Sequence, residues 1–121
     1  MNKRETGSAY EEKAAVYLIQ NGFQVLEKNF YCRQGEIDLV GIHEGYLVFV
    51  EVKYRKCEGK GLPEEAVTAA KQKKICRASD FYRSRNRRFF GYQVRYDVVA
   101  ILGEEIRWSR NAFPSTGTCA W

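Results

Sequence analysis

Hydrophobic and polar residues alternate along five short stretches of the chain, and this two-residue period predicts β-strands. The stretches are residues 23–30, 36–42, 46–55, 92–102 and 104–109. In residues 46–55, YLVFVEVKYR, one face is entirely apolar or aromatic, whereas the other face carries three charged side chains. Those two faces consist of Val48, Val50, Val52 and Tyr54, and of Phe49, Glu51, Lys53 and Arg55.

Two further segments repeat apolar residues at helical spacing. The first is expected to begin near Ser8, because SAYE matches a capping box with Ser8 as N-cap and Glu11 as its reciprocal partner. The second is expected from about residue 63 to the low eighties, and Lys71 interrupts its apolar stripe. Residues 84–91 are predicted to be a turn or loop. The order α-β-β-β-α-β-β predicts an α/β fold with a mixed sheet flanked by helices.

The size of the chain, 121 residues with 45% hydrophobic residues, predicts one domain over residues 1–121. Residues 112–121 have the composition of a turn, which predicts a partly disordered tail. Without a leader-like or membrane-spanning apolar run, the chain is expected to be soluble and cytoplasmic. The four cysteines have neither C-x-x-C spacing nor partner histidines, which favours reduced thiols over a zinc site or disulfides.

Positive charge is concentrated in residues 70–88, which hold eight basic residues and one acidic residue, hence a local net charge of +7. The whole chain has a formal net charge of +5. Such a localised basic stretch is typical of proteins that bind the phosphate backbone of nucleic acids, although a solvated helix face has the same composition. The candidate phosphate contacts are Arg55, Lys71, Lys74 and Arg77. For Lys71 the alternative is a side chain that snorkels out of the apolar stripe.

A carboxylate–carboxylate–lysine set gives the chain candidate chemistry. Asp38 and Glu51 lie thirteen positions apart across a predicted hairpin, and Glu51 shares one strand face with Lys53. Carboxylate oxygens suit Mg²⁺ or Mn²⁺, and a neighbouring lysine can stabilise the charge of a phosphate under attack. The set therefore points to metal-dependent phosphodiester hydrolysis, with a surface ion pair as the structural alternative for Glu51 and Lys53.

The segments GEIDLV and LVFVEVKYR resemble the Asp…Glu-x-Lys motif of the restriction-endonuclease-like, or PD-(D/E)xK, nuclease superfamily. Together with GSAYEEKAAVYL, PEEAVTAAKQKKI and VRYDVVAI, they make the chain resemble the YraN-type uncharacterised bacterial family, itself similar to archaeal Holliday-junction resolvases. The resemblance covers most of residues 7–113. It implies an αβββαβ core and an Mg²⁺- or Mn²⁺-dependent DNA endonuclease for branched DNA. A homodimer is also implied, since a four-way junction needs two cuts.

The resemblance also assigns roles to individual residues. Asp38 and Glu51 become metal ligands, Lys53 becomes the catalytic lysine, and Glu11 becomes an additional acid from the first helix. Ile37 stands where the superfamily motif has proline. Glu11 thus has two interpretations, cap or site residue.

Several other residues are also open to two readings. Glu36 is expected to be solvated at a strand entry. Alternatively, because it shares the strand face of Asp38, it lies beside Asp38 and supports its position. Asp97 is expected to have a structural role, paired with Arg95 or another basic neighbour, and no role is assigned to His43. The aromatic rings of Phe89, Tyr92 and Trp108 are either buried or available to stack on unpaired bases.

Two other functions are compatible with the same residues. One is a non-catalytic DNA-binding or adaptor module that has kept a nuclease-like fold. The other is an RNA substrate, because phosphate charge does not distinguish the two sugars. Binding without metal-dependent cleavage would favour the first of these alternatives.

Overall fold

A computed structural model describes the backbone of residues 3–55 and 67–114, and the side chains of residues 9–54 and 67–114. Two α-helices, one short 3₁₀ helix and five strands are present in these ranges. They are α1 (Lys3–Gln20), β1 (Gln24–Cys32), β2 (Gly35–His43), β3 (Tyr46–Arg55), α2 (Ala69–Arg85), the 3₁₀ helix (Arg87–Phe89), β4 (Gln93–Leu102) and β5 (Glu105–Ser109).

The five strands form one mixed sheet in the order β1-β2-β3-β4-β5. Strands β1 to β3 are an antiparallel meander, β3 and β4 are parallel, and β5 returns antiparallel to β4. A parallel neighbour needs a crossover connection, and α2 lies in the segment between β3 and β4. The expected α/β fold with an αβββαβ core is confirmed.

The helices cover opposite faces of the sheet, and β3 contributes to both cores by simple alternation. Val48 and Val50 pack with Leu18 of α1, whereas Phe49 packs with Ile75 and Tyr82 of α2. The apolar face predicted for residues 46–55 therefore lies against α1. On the opposite face, Phe49 packs in the core beneath α2, and Glu51 and Lys53 follow it on the same face.

The predicted helix starts are both wrong. Helix α1 begins at Lys3, so Ser8 lies inside the helix and the capping-box role of Glu11 is excluded. Helix α2 begins at Ala69, because Thr68 is extended (φ −67°, ψ 164°) and its side chain accepts the Lys71 N–H. Residue 63, the predicted start, lies outside the described residues.

The segment between α2 and β4 is more ordered than the predicted loop, since Arg87–Phe89 forms a 3₁₀ helix. The expected tail is also anchored at its beginning. The Ala112 N–H donates to the Tyr96 carbonyl (2.7 Å), and the buried Phe113 ring stacks on Tyr96. Residues 115–121 lie outside the described part of the chain.

Cys32 and Cys76 are free thiols, as expected, whereas positions 57 and 119 lie outside the described residues. In the ranges that the structure describes, no helix is long and apolar enough to cross a membrane.

Candidate active site

The site begins where β2 and β3 separate. Their last paired residues are Leu39 and Val50, and the next pair in this register would be Asp38 and Glu51. Instead of continuing the ladder, the Val52 N–H donates a hydrogen bond to Asp38 Oδ2 (2.8 Å). The Asp38 carboxylate therefore turns toward β3, and the two carboxylates predicted from the hairpin spacing meet.

Two further carboxylates lie beside Asp38. One oxygen from each of Glu11, Glu36 and Asp38 lies within 4.8 Å of the other two. Glu11 comes from α1, so the cluster joins a helix to the end of the β2 strand. Glu51 on β3 is buried, with 5% of its surface exposed, and its charge acts on both Asp38 and Glu11.

The crowding of acids changes the proton affinity of Asp38. Burial raises the pKa of Asp38 from 3.8 to about 8, and the negative charge of Glu51 contributes next. The Val52 N–H opposes this rise in pKa, because it stabilises the ionised carboxylate. Without a cation, the cluster therefore favours a proton on Asp38 at neutral pH.

Glu11 shows the same effect from the helix side. Burial raises its pKa, and a hydrogen bond from the Asn29 side chain opposes the rise. Its Oε2 is buried and has no hydrogen-bond partner. Asn29 itself has a left-handed backbone (φ 55°) between the paired residues Lys28 and Phe30, which places it across from Asp38. Asparagine adopts this left-handed conformation more readily than most residues.

Two lysines supply positive charge on the other side of Glu51. Lys53 Nζ lies 3.3 Å and Lys71 Nζ 3.5 Å from Glu51 Oε2. Lys53 shares the strand face of Glu51, as predicted, whereas Lys71 reaches it from the first turns of α2. Both lysine side chains are partly exposed, 23% for Lys53 and 40% for Lys71, so an anion can approach them from solvent.

The acid cluster fits a hard divalent cation. Its donors are carboxylate oxygens, the preferred ligands of Mg²⁺ and Mn²⁺, and one buried oxygen of Glu11 lacks a hydrogen-bond partner. A cation would also relieve the repulsion that raises the pKa of Asp38. Glu11, Glu36 and Asp38 are the residues that could hold it, with Glu51 at the edge.

The structure brings most of the candidate residues together. Five of them lie together where β2 and β3 separate: Glu11, Asp38, Glu51, Lys53 and Lys71. Lys74 and Arg77 instead lie exposed on the outer face of α2, where Lys74 packs beside Gly35 and Arg77 lines an open recess of about 300 Å³. The Arg55 side chain lies outside the described residues.

Sequence reasoning gave one residue of the site only as an alternative and missed another. Glu36 was expected to be solvated, with a place beside Asp38 as the alternative, and the structure places it in the acid cluster. Its shared strand parity with Asp38 was the available signal. Asn29 carried no signal beyond the tolerance of asparagine for left-handed backbone.

A fully buried aspartate, Asp97, has the predicted structural role. Asp97 accepts hydrogen bonds from Arg95 Nε (2.9 Å) and Nη2 (2.8 Å), from Trp108 Nε1 (2.9 Å) and from the Asn111 N–H (2.9 Å). Arg95 Nη2 also lies 2.9 Å from His43 Nδ1. Burial first, and then the Arg95 charge, lowers the pKa of His43, so its imidazole stays neutral and accepts this bond.

Comparison with known proteins identifies relatives of the whole chain. Residues 10–101 match the family model described as Uncharacterised protein family UPF0102. A UPF0102 protein of Lachnoclostridium phytofermentans is 48% identical over 98% of this chain and 100% of its own length. Another, from Caldanaerobacter subterraneus subsp. tengcongensis, is 44% identical over 84% of this chain and 82% of its own length.

Among solved structures, the chain is similar to a repair endonuclease from Pyrococcus abyssi, with a TM-score of 0.41 and 20% sequence identity. The match covers 84% of this chain and 39% of that chain, less than half of its length. The two sequence relatives have higher identity and are matched over more than four fifths of both chains. The chain belongs to the UPF0102 family, as its sequence motifs predicted.

Proposed function

We propose that this protein is a divalent-metal-dependent endonuclease that hydrolyses phosphodiester bonds in DNA. The observation that carries the proposal is the meeting of four carboxylates and two lysines where β2 and β3 separate. A purely structural carboxylate would be surrounded by hydrogen-bond donors, whereas Asp38 is surrounded by other acids.

In this proposal the carboxylates of Glu11, Glu36 and Asp38 would hold Mg²⁺ or Mn²⁺, with Glu51, the other ligand that the resemblance implies, beside them. The bound cation would supply a water of lowered pKa and would polarise the phosphate. Asp38 must be ionised to act as a ligand, so it would give up the proton that the neighbouring acids favour on it when a cation binds.

The lysines have a separate role in the proposal. Lys53 and Lys71 place two ammonium groups beside Glu51, where they can stabilise the charge that develops on the phosphate oxygens. Glu51 positions both lysines through its Oε2. Because the lysines come from β3 and α2, the phosphate would be held between the C-terminal end of β3 and the start of α2.

The basic face of α2 supports DNA as the substrate class. Lys74 and Arg77 are exposed on this helix, one and two turns beyond Lys71. They extend the positive charge away from the acid cluster, as a phosphate backbone would require. Branched DNA as substrate, a homodimer as the active form and a phosphate contact by Arg55 belong to the same proposal and rest on the family resemblance.

The test is cleavage of blunt duplex, single-stranded and four-way DNA by the purified full chain, with Mg²⁺ or Mn²⁺ and with EDTA. Glu11→Gln and Glu12→Gln form a matched pair, because the neighbouring Glu12 is exposed and pairs with Lys28 instead. Metal-dependent cleavage that Asp38→Asn, Lys53→Ala and Glu11→Gln abolish, but Glu12→Gln retains, supports the proposal. Cleavage by Asp38→Asn and Lys53→Ala at the wild-type rate contradicts it.

One observation favours a second function, that of a non-catalytic DNA-binding module. Glu51 Oε2 contacts both lysines, so its charge is already balanced by protein groups. In that case the chain would bind DNA in a salt-dependent manner and would cleave none of the substrates with either metal.

A further inference from the structure

The segment that follows α2 carries two aromatic rings that the fold does not bury. Residues 86–92 form a turn, here called the distal turn, in which Phe90 is 48% and Tyr92 38% exposed. A single exposed aromatic residue is ordinary on a protein surface. Two exposed rings within three positions of a basic turn form a small aromatic surface available to a ligand.

The distal turn is held in one conformation. Phe89 is buried and stacks on Tyr82 of α2, which anchors the middle of the turn in the core. Backbone N–H groups of Phe89, Phe90 and Tyr92 donate to the carbonyls of Asn86, Arg87 and Phe89 at 3.0–3.1 Å. The exposed rings therefore sit on a rigid base, so little conformational entropy is lost when a ligand binds.

Arginine side chains surround these rings. The guanidinium carbons of Arg83 and Arg87 lie 5.8 and 5.6 Å from the Phe90 ring centroid, and that of Arg88 lies 4.6 Å from the Phe89 centroid. Between residues 81 and 96 the sequence has no acidic residue. The turn thus combines aromatic rings with the positive charge of Arg87 and Arg88.

We propose that the distal turn binds unpaired nucleotides of DNA, with Phe90 and Tyr92 stacking on bases and Arg87 and Arg88 contacting phosphates. Bases have a flat π-face that stacks on aromatic rings, and adjacent arginines neutralise the backbone. Base pairs within a continuous duplex do not expose these faces. The combination therefore fits a single-stranded segment better than a blunt duplex.

The position of the distal turn indicates which DNA the nuclease would cut. This part of the inference rests on the proposed nuclease function. Lys71 contacts Glu51, whereas Arg85 lies fourteen residues further along α2, about 21 Å away. That distance equals about six base pairs of DNA. The exposed Lys73, Lys74 and Arg77 lie between the two points. The substrate would then be duplex DNA with an unpaired segment about six nucleotides from the bond that is cut.

The test measures binding of the full chain in EDTA, by fluorescence anisotropy, to an oligothymidine and to a blunt duplex of about 20 base pairs. We expect Phe90→Ala/Tyr92→Ala to weaken oligothymidine binding about tenfold or more, and duplex binding less than about twofold. The control is Ile19→Ala, an exposed apolar residue of α1 on the other face of the sheet. Equal losses for both probes, or no loss for oligothymidine, would overturn the proposal.

Salt dependence tests the arginines independently of the rings. Arg87→Gln/Arg88→Gln should reduce the slope of log affinity against log salt by about 0.7 for each lost single-strand phosphate contact. An unchanged slope would contradict the phosphate role. Tyr92 packs edge-on against the buried Phe89 ring and Arg88 lies over the same ring, so a modest fall in melting temperature is expected, with the fold retained. Tyr92→Ala alone serves as a milder second variant.

Cleavage assays separate this inference from the proposed function. If the wild type cuts tailed and blunt duplexes equally and Phe90→Ala/Tyr92→Ala changes neither rate, the distal-turn proposal fails and the nuclease remains. If no DNA is cut but oligothymidine binding still depends on the two rings, the nuclease proposal is contradicted. The distal turn is then still supported as a binding site for single-stranded DNA.

Discussion

Two aspartates on neighbouring parts of the sheet have opposite surroundings. Asp97 is completely buried, and four donor groups from Arg95, Trp108 and Asn111 satisfy its two oxygens. Asp38 accepts a hydrogen bond from the Val52 N–H and otherwise faces the charges of Glu51 and Glu11. One carboxylate completes a network, whereas the other is repelled by its neighbours.

This difference separates a structural acid from a functional one. A buried carboxylate with a full set of donors stabilises the fold because removing it leaves those donors unpaired. A group of clustered acids has no such benefit for the fold alone and needs a cation or a proton. The surroundings of Asp38, rather than its burial, support its assignment to an active site.

The largest effect on stability is expected at Asp97. Asp97→Ala should lower the free energy of unfolding by about 3–5 kcal/mol, because Arg95 would remain buried without its partner. Urea denaturation, monitored by circular dichroism, measures this change. Asp97→Asn keeps the shape and is the milder variant if the alanine variant does not fold. A loss as large in Asp38→Ala would remove the distinction between the two sites.

Metal addition should give the next largest effect. A saturating divalent cation at one hundred times its dissociation constant should stabilise the wild type by about 2.7 kcal/mol. Thermal unfolding with Mn²⁺ against EDTA should show a raised midpoint in the wild type and in Glu12→Gln, but not in Asp38→Asn. An equal rise in Asp38→Asn would place the metal elsewhere.

The pH dependence of stability should differ in sign between the two regions. In its folded state Asp38 has a pKa of about 8, above its ordinary 3.8, so without metal its stabilising contribution is full below about pH 4 and is lost as pH rises toward 8. The pKa of His43 is lowered, so its contribution is present above about pH 6.5 and is lost as pH falls.

Urea midpoints measured in EDTA at about pH 5, 7 and 9 test this sign. The difference in stability between Asp38→Asn and the wild type should grow with pH, because only the wild type must ionise a crowded acid. A constant difference across this range would show that the Asp38 pKa is unperturbed.

The smallest effect separates two lysines of α2. Lys71 contacts Glu51, whereas Lys73 is exposed two residues later. Lys71→Gln should slow metal-dependent DNA cleavage about tenfold, equal to the loss of about 1.4 kcal/mol in the transition state. Lys73→Gln is the matched control and should change the rate less than about twofold. Equal losses of cleavage rate in both variants would show that Lys71 contributes only general electrostatic attraction for DNA.

Much of the fold followed from local pattern. The alternation in residues 46–55 predicted β3 with its observed bounds, and the thirteen-residue spacing predicted that Asp38 and Glu51 would meet. Both inferences work because strand periodicity and hairpin pairing are short-range properties. The helix starts failed for two reasons. The SAYE segment matches a capping box although α1 already begins at Lys3, and a proline is accepted in a first helical turn although Thr68 is the N-cap of α2.

The site was predicted less completely, for physical reasons. Glu36 looks solvated in sequence, because its closeness to Glu11 depends on how α1 packs against the sheet. Asn29 has a left-handed backbone inside an otherwise regular part of β1, and no short sequence pattern predicts that conformation. Lys71 was placed toward the core by helical periodicity, but its contact with Glu51 required the crossover geometry.

The central claim is that the acid cluster holds a divalent cation. A crystal of the full chain soaked in Mn²⁺, measured at the manganese absorption edge, tests it most directly. We predict an anomalous peak coordinated by carboxylates of Glu11, Glu36 and Asp38, with Glu51 beside it. A fully occupied Mn²⁺ site elsewhere and none at this cluster, with Lys53 and Lys71 still on Glu51, would contradict the account.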